Sequence, residues 1–223
     1  MSSYVFDFYG TLADIHTDET LPSLWSGMTS VYPVDAELLK SLYYALIEEQ
    51  MTGEQYFEPD LYKVFAGMFR VCFKSPTDEE VMSAARTFRK LSREYIKPYP
   101  EAKPVLEGLR ERGDKVYLLS NAQAIFTRDE IKMCGLEDCF DGILLSSDAA
   151  VKKPSPKIFE KLFDMYGIDK SSAFMVGNDP TDDISGADGF GIKSFFIKTN
   201  LSPSGEYSLP ASCTEIKSLS DLL

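Results

Sequence analysis

Five short apolar runs, each closed by turn residues, constrain the fold of this chain more than any other feature: "YVFDF" at 4 to 8, "KVYLLS" at 115 to 120, "GILLSS" at 142 to 147, "AFMVGN" at 173 to 178 and "KSFFIK" at 193 to 198. Continuous apolar runs of this length fit strands buried on both faces, as in a parallel sheet covered by helices on either side. Helical patterns lie between them. Glu101 to Arg112 ends at Gly113, and Ser155-Pro156 opens a stretch whose Ile158, Phe159, Leu162, Phe163 and Tyr166 form one stripe before Gly167. Proline at the first helical position and glycine after the last are expected helix punctuation. The alternation predicts a Rossmann-like, doubly wound α/β core.

One interval breaks that alternation. From Asp14 to Lys97 there is helical spacing and no strand pattern: Leu38, Leu42 and Leu46 in one segment, then Leu61, Val64, Phe65 and Met68 in another. Thr77 with Glu80 has the spacing of a capping box ahead of Val81, Ala85, Phe88 and Tyr95. The expected organisation is an α/β core of residues 1–13 and 98–223 with an all-helical cap, 14–97, inserted after the first strand. Pro98 and Pro100 would form the hinge.

Ligands of a parallel α/β sheet bind beyond the carboxyl ends of its strands. The residues placed there are Asp7, Ser120-Asn121, Lys153, Asn178-Asp179 and Asp182-Asp183. A carboxylate nucleophile, a hydroxyl, an ammonium and an acidic cluster form an inventory suited to phosphoryl transfer. The formal net charge of −12 argues against a nucleic-acid partner, since a phosphate backbone would meet net repulsion. The four cysteines have no CxxC spacing, and His16, the single histidine, has no partner for a zinc site. The amino terminus lacks the pattern of a secretory signal, and no apolar run reaches the ~20 residues of a membrane span. The expectation is a cytoplasmic protein, monomer or homodimer, with a small-molecule partner and no membrane partner.

The chain resembles the haloacid dehalogenase-like hydrolases, whose four motifs occur in order. "DFYGTL" at 7 to 12 is similar to the first, "LLSNA" at 118 to 122 to the second, "KKPSPKIF" at 152 to 159 to the third and "VGNDPTDDISGA" at 176 to 187 to the fourth. The resemblance implies a phosphatase in which Asp7 attacks the substrate and forms an aspartyl intermediate. Ser120 and Asn121 would bind the phosphoryl group, and Lys153 would neutralise charge between it and Asp7. Mg2+ would be held by Asp7, the Tyr9 carbonyl and the fourth motif, where Asn178, Asp179 and Asp183 are candidates, with Asp179 favoured over Asn178. Asp182 is expected to face solvent at a helix start.

Tyr9 departs from the pattern, because family phosphatases carry an aspartate acid/base there. A phenol with a pKa near ~10 can donate a proton at neutral pH but is a poor base. The family's 2-haloacid dehalogenases do carry tyrosine there. They also require an arginine early in the cap, whereas this chain has none before Arg70, and their tyrosine after the third-motif lysine falls at Phe159. The other alternative is a weak or non-catalytic phosphate-ligand binding protein. Arg86, Arg89, Lys90, Arg93 and Lys97 are expected to form a solvated basic face.

Overall fold

Tyr4, Val5 and Phe6 are buried in succession because strand β1, Ser3–Phe6, runs through the middle of a sheet. The computed structural model describes residues 1–73 and 75–223. Successive side chains of β1 serve opposite layers, as the two-residue period of a strand requires. Tyr4 and Phe6 pack with Val105, Leu106 and Leu109 on one face, and Val5 packs with Ile158, Phe159 and Phe190 on the other.

After β1 the chain forms a short strand β2, Ala13–Thr17, and then four helices: α1 Pro22–Met28, α2 Ala36–Gln50, α3 Leu61–Cys72 and α4 Asp78–Ser92. Strand β3, Arg93–Pro98, leads back to α5, Ala102–Glu111, and the α/β alternation continues with β4 Lys115–Ser120, α6 Ala124–Met133, β5 Gly142–Leu145, α7 Ser146–Ala149 and α8 Pro156–Tyr166. It ends with β6 Ala173–Gly177, α9 Gly186–Phe190, β7 Lys193–Ile197 and β8 Cys213–Ile216. The main sheet is parallel throughout, in the order β5-β4-β1-β6-β7-β8. The carboxyl ends of β1, β4 and β6 therefore lie side by side. The doubly wound core is as expected, and β8 is an edge strand beyond the five runs in the sequence.

The interval 14–97 differs from the all-helical expectation at both ends. Ala13–Thr17 and Arg93–Pro98 pair as an antiparallel ribbon, with Ile15 opposite Ile96. Each strand is short and mostly half-buried or exposed, and its partner is distant in sequence, so neither has a distinctive apolar pattern. Between them α3 buries Leu61, Val64, Phe65 and Met68 as read, but α2 does not bury the expected Leu38, Leu42 and Leu46 stripe. The Thr77–Glu80 capping box is present. The buried face of α2 is Leu39 and Tyr43, while Leu38 points outward.

Trp25, Tyr43, Phe65 and Phe88 form the centre of the helical insert, and the α/β core contributes Ile125 and Phe126 to the same cluster. Phe126 of α6 stacks on Phe88 with centroids 6.0 Å apart and meets Phe65 edge-on at 6.1 Å. The insert also reaches the core through Phe57 and Val151, which form an antiparallel bridge. Among the described residues, no helix is long and apolar enough to cross a membrane.

The shared cluster predicts that Phe126→Ala, though on a core helix, destabilises the insert. The expected loss is about 3–5 kcal/mol in urea unfolding, with a change in the fluorescence of Trp25, the single tryptophan. A loss under about 1 kcal/mol would contradict this account of the packing.

Candidate active site

β1 delivers Asp7 to the end of the sheet, where its amide donates to the Val176 carbonyl at 3.0 Å. The side chain is only slightly exposed, and Oδ1 accepts from Ser120 Oγ at 2.9 Å and from Lys153 Nζ at 2.7 Å. Lys153 also donates to Asp183 Oδ1 at 2.6 Å and to the Leu119 carbonyl at 2.9 Å, so all three ammonium donors are used. Burial works against this ammonium, but Asp183 and Asp7 outweigh it and hold the Lys153 pKa above its ordinary value. Burial, opposed by the Lys153 charge and reinforced by Asp7, raises the Asp183 carboxyl above its usual range.

Two glycines allow this convergence. Gly10 has φ +87, and a Cβ on it would lie 2.3 Å from Asn178 Nδ2; a Cβ on Gly177 would lie 2.2 Å from Asp183 Oδ2. Asn178 is buried and accepts from Thr11 Oγ1 at 3.1 Å, which ties the first motif to the fourth. Asn121 spans the second, third and fourth motifs. Its Oδ1 accepts from the Lys153 amide at 2.8 Å, and its Nδ2 donates to the Lys153 carbonyl at 3.0 Å and to Asp182 Oδ2 at 2.9 Å.

Asp182 is therefore half-buried and bonded, not solvent-facing as expected, and burial raises its pKa. Asp179 also differs from its expected place. Its Oδ1 caps the π-helical turn Pro180–Ser185, accepting from the amides of Thr181 and Asp182, each at 2.8 Å. Asn178 is the more deeply buried of the two neighbours, and both line the same cavity.

Asp7, Asp179, Asp182 and Asp183 all line a cavity of about 150 Å³, in which Lys153 is the only cation among the described lining residues. No group of three or more His, Cys, Asp or Glu side chains lies at metal-holding spacing among the described residues. The candidate donor set is instead Asp7, Asp183, the amide oxygen of Asn178 and the Tyr9 carbonyl. Two carboxylates with neutral oxygens fit an oxygen-seeking ion that keeps several waters, as Mg2+ does.

The Tyr9 side chain leads elsewhere. Its hydroxyl donates to Glu130 Oε2 and lies 2.9 Å from Thr127 Oγ1. Burial and the Glu130 charge raise its pKa, moving the phenol further from service as a base. The phenol, counted among the candidate catalytic residues but with its chemical role left open by the sequence, is held in a fixed contact with α6. The basic face needs a correction. Arg89 and Arg93 are mostly buried against Glu130 at 2.7 Å each, and Arg93 and Lys97 belong to β3. Glu130 was not singled out by any motif; within "TRDEIKM" it reads as one more surface charge. His16 lies on the exposed ribbon, 3.7 Å from Glu94, away from the cavity lining.

The family model described as haloacid dehalogenase-like hydrolase matches residues 1–191. Haloacetate dehalogenase H-2 of Moraxella sp. is 30% identical over 88% of this chain and 85% of its own length. Phosphoserine phosphatase of Thermus thermophilus is 28% identical over 66% of this chain and 61% of its own length. The crystal structure of a 2-haloacid dehalogenase from Pseudomonas syringae superposes with a TM-score of 0.67 at 23% identity, covering 100% of this chain and 96% of that one, a likeness of fold.

The shared ammonium predicts the behaviour of Lys153→Met. Removing it leaves Asp7 and Asp183 facing each other without compensation, and breaking a buried pair in this way costs about 3–5 kcal/mol. Urea unfolding without added divalent ions should show that loss. A variant as stable as the parent would contradict the assignment of Lys153 as the site's counter-charge.

Proposed function

We propose that this chain, which belongs to the haloacid dehalogenase-like hydrolases, is a Mg2+-dependent phosphatase of small phosphorylated molecules. The observation that carries this reading is the charge balance of the cavity, four carboxylates facing one ammonium. A phosphate dianion approaching that surface meets net repulsion unless a cation is supplied. Mg2+ held by Asp7, the Tyr9 carbonyl, Asn178 and Asp183 would supply the positive charge that lets an anionic ester approach the nucleophile.

The chain's own groups then have the following roles. Asp7 has one carboxylate oxygen bound to Ser120 and Lys153, leaving Oδ2 to attack phosphorus. A bond forms between Oδ2 and phosphorus as the ester P–O bond breaks, and the leaving oxygen carries away the electron pair. Lys153 stabilises the charge that accumulates between Asp7 and the phosphoryl group. Ser120 Oγ–H can turn from Asp7 to a phosphoryl oxygen. Water then attacks phosphorus as the Oδ2–P bond breaks, the electron pair returns to the Asp7 carboxylate, and the water protons leave with the phosphate. The helices of residues 22–92 would act as a cap that restricts water, although none of their residues is among the described residues lining the cavity.

Tyr9 limits the substrate class. With its phenol bound to Glu130, the first motif offers the leaving group no acid, a loss worth about 10²- to 10⁴-fold for a poor leaving group. Acyl and aryl phosphates, whose leaving groups need little protonation, are the favoured class. The tyrosine and the Moraxella relative favour a second reading, a 2-haloacid dehalogenase. It is the weaker one, because no arginine that could pair with a haloacid carboxylate is among the described residues lining the cavity.

Purified protein with Mg2+ should release phosphate from acyl and aryl phosphates with a kcat/KM at least about 10-fold above that for alkyl phosphates. Asp7→Asn should lower the rate by about 10³-fold or more. Activity that survives this substitution would remove Asp7 from the mechanism. Metal-independent halide release from 2-haloacids, with no phosphate release, would install the second reading.

A further inference from the structure

We infer that Glu130 is a positioning residue for the reaction: acting through Tyr9, it fixes the loop that carries the nucleophile and ties that loop to the helical insert. The inference rests on the assignment of Asp7 as nucleophile and is independent of which bond Asp7 attacks.

Glu130 is fully buried on α6, and both of its carboxylate oxygens are in use. Oε1 accepts from Arg89 Nε and from an Arg93 guanidinium nitrogen, each at 2.7 Å, while Oε2 accepts from Arg89 at 3.2 Å and from the Tyr9 hydroxyl. Burial opposes the charged form, but the arginine bonds prevail and hold the carboxyl below its usual range.

A buried ion cluster of this kind is seldom the best route to stability, because apolar side chains of similar volume often serve as well. A carboxylate can, however, bind donors from several chain segments at once. Here the segments are the loop after Asp7, the end of α4 and the first residue of β3. That loop, closed by bonds from the Gly10 amide to the Ala13 carbonyl at 2.8 Å and from the Leu12 amide to the Phe8 carbonyl at 2.8 Å, runs directly into β2. β2 pairs with β3, which begins at Arg93, so the chain path from Asp7 returns to Glu130. α6 itself starts four residues after Ser120. One carboxylate thus joins the nucleophile loop, the insert and the helix that follows the hydroxyl-bearing strand.

A double-mutant cycle of Glu130→Gln and Tyr9→Phe tests this, with two readouts. One is turnover of whichever substrate the parent hydrolyses, an aryl phosphate with Mg2+ or a 2-haloacid. The other, independent of activity, is backbone hydrogen exchange of residues 7–13. Glutamine keeps the volume of Glu130 but not its charge, and Tyr9→Phe leaves the Glu130–arginine pairs intact and guards against simple misfolding. Each single variant is expected to lose about 10- to 100-fold in kcat with KM little changed, and to exchange faster in residues 7–13 while the sheet strands stay protected. The double variant should be no worse than the worse single one. Additive losses, or a Glu130→Gln protein that melts earlier but keeps parental kcat and loop exchange, would overturn the inference. A parent inactive on both substrates would defeat the proposed function, while the exchange cycle would still decide the role of Glu130.

Discussion

The site depends on one ammonium shared between two carboxylates. Lys153 Nζ contacts Asp7 at the end of β1, Asp183 beyond β6 and the Leu119 carbonyl in β4, which draws three parts of the sheet's carboxyl edge onto one atom. The fold brings these parts together because β1 lies between β4 and β6 in an all-parallel order. Asn121 holds the Lys153 backbone from both its amide and its carbonyl side, and Gly10 and Gly177 leave room for the neighbouring side chains. One positive charge is too little for the acids that line the cavity. In the proposed phosphatase reading, a divalent cation would offset that imbalance and let an anionic ester approach.

A second buried charge organises the attachment of the insert. Glu130 draws Arg89 and Arg93 inward, and Phe126, one turn earlier on the same helix, enters the aromatic centre of the insert, with Arg89 lying over its ring at 5.0 Å. The helical insert and the α/β core therefore share both a hydrophobic cluster and an ion cluster. Tyr9 stands between the two buried charges: its backbone follows Asp7 closely and its phenol ends at Glu130. The residue that looks anomalous as a proton donor is well placed as a strut.

Much of this was legible in the sequence where the signal is local. Four of the apolar runs contain the strands β4, β5, β6 and β7, the first overlaps β1 at residues 4–6, and Ser155-Pro156 and Gly167 bracket α8 as read. Asp7, Ser120 and Lys153 could be chosen because each follows a strand or opens a helix, and the structure brings them within hydrogen-bonding distance. What escaped depends on distant partners. Glu130 sits among Arg128, Asp129 and Lys132 and has the composition of a surface; its burial follows from arginines and a tyrosine contributed by other segments. The ribbon of β2 and β3 was hidden for the same reason. Asp182 was misjudged because its bond to Asn121, a partner distant in sequence, turns the carboxylate inward, while the cap made by Asp179 Oδ1 is likewise not visible as a charge pattern.

In the proposed function Asp7 is a nucleophile toward phosphorus, in a site that would hold a divalent cation. The most direct measurement is mass spectrometry of the peptide containing Asp7 after the protein is mixed with an acyl or aryl phosphate and quenched in acid within a turnover. This peptide is expected to gain one phosphoryl group when Mg2+ is present and none when it is chelated. An unmodified peptide during active turnover, or an ester adduct formed from a 2-haloacid without metal, would contradict the proposal.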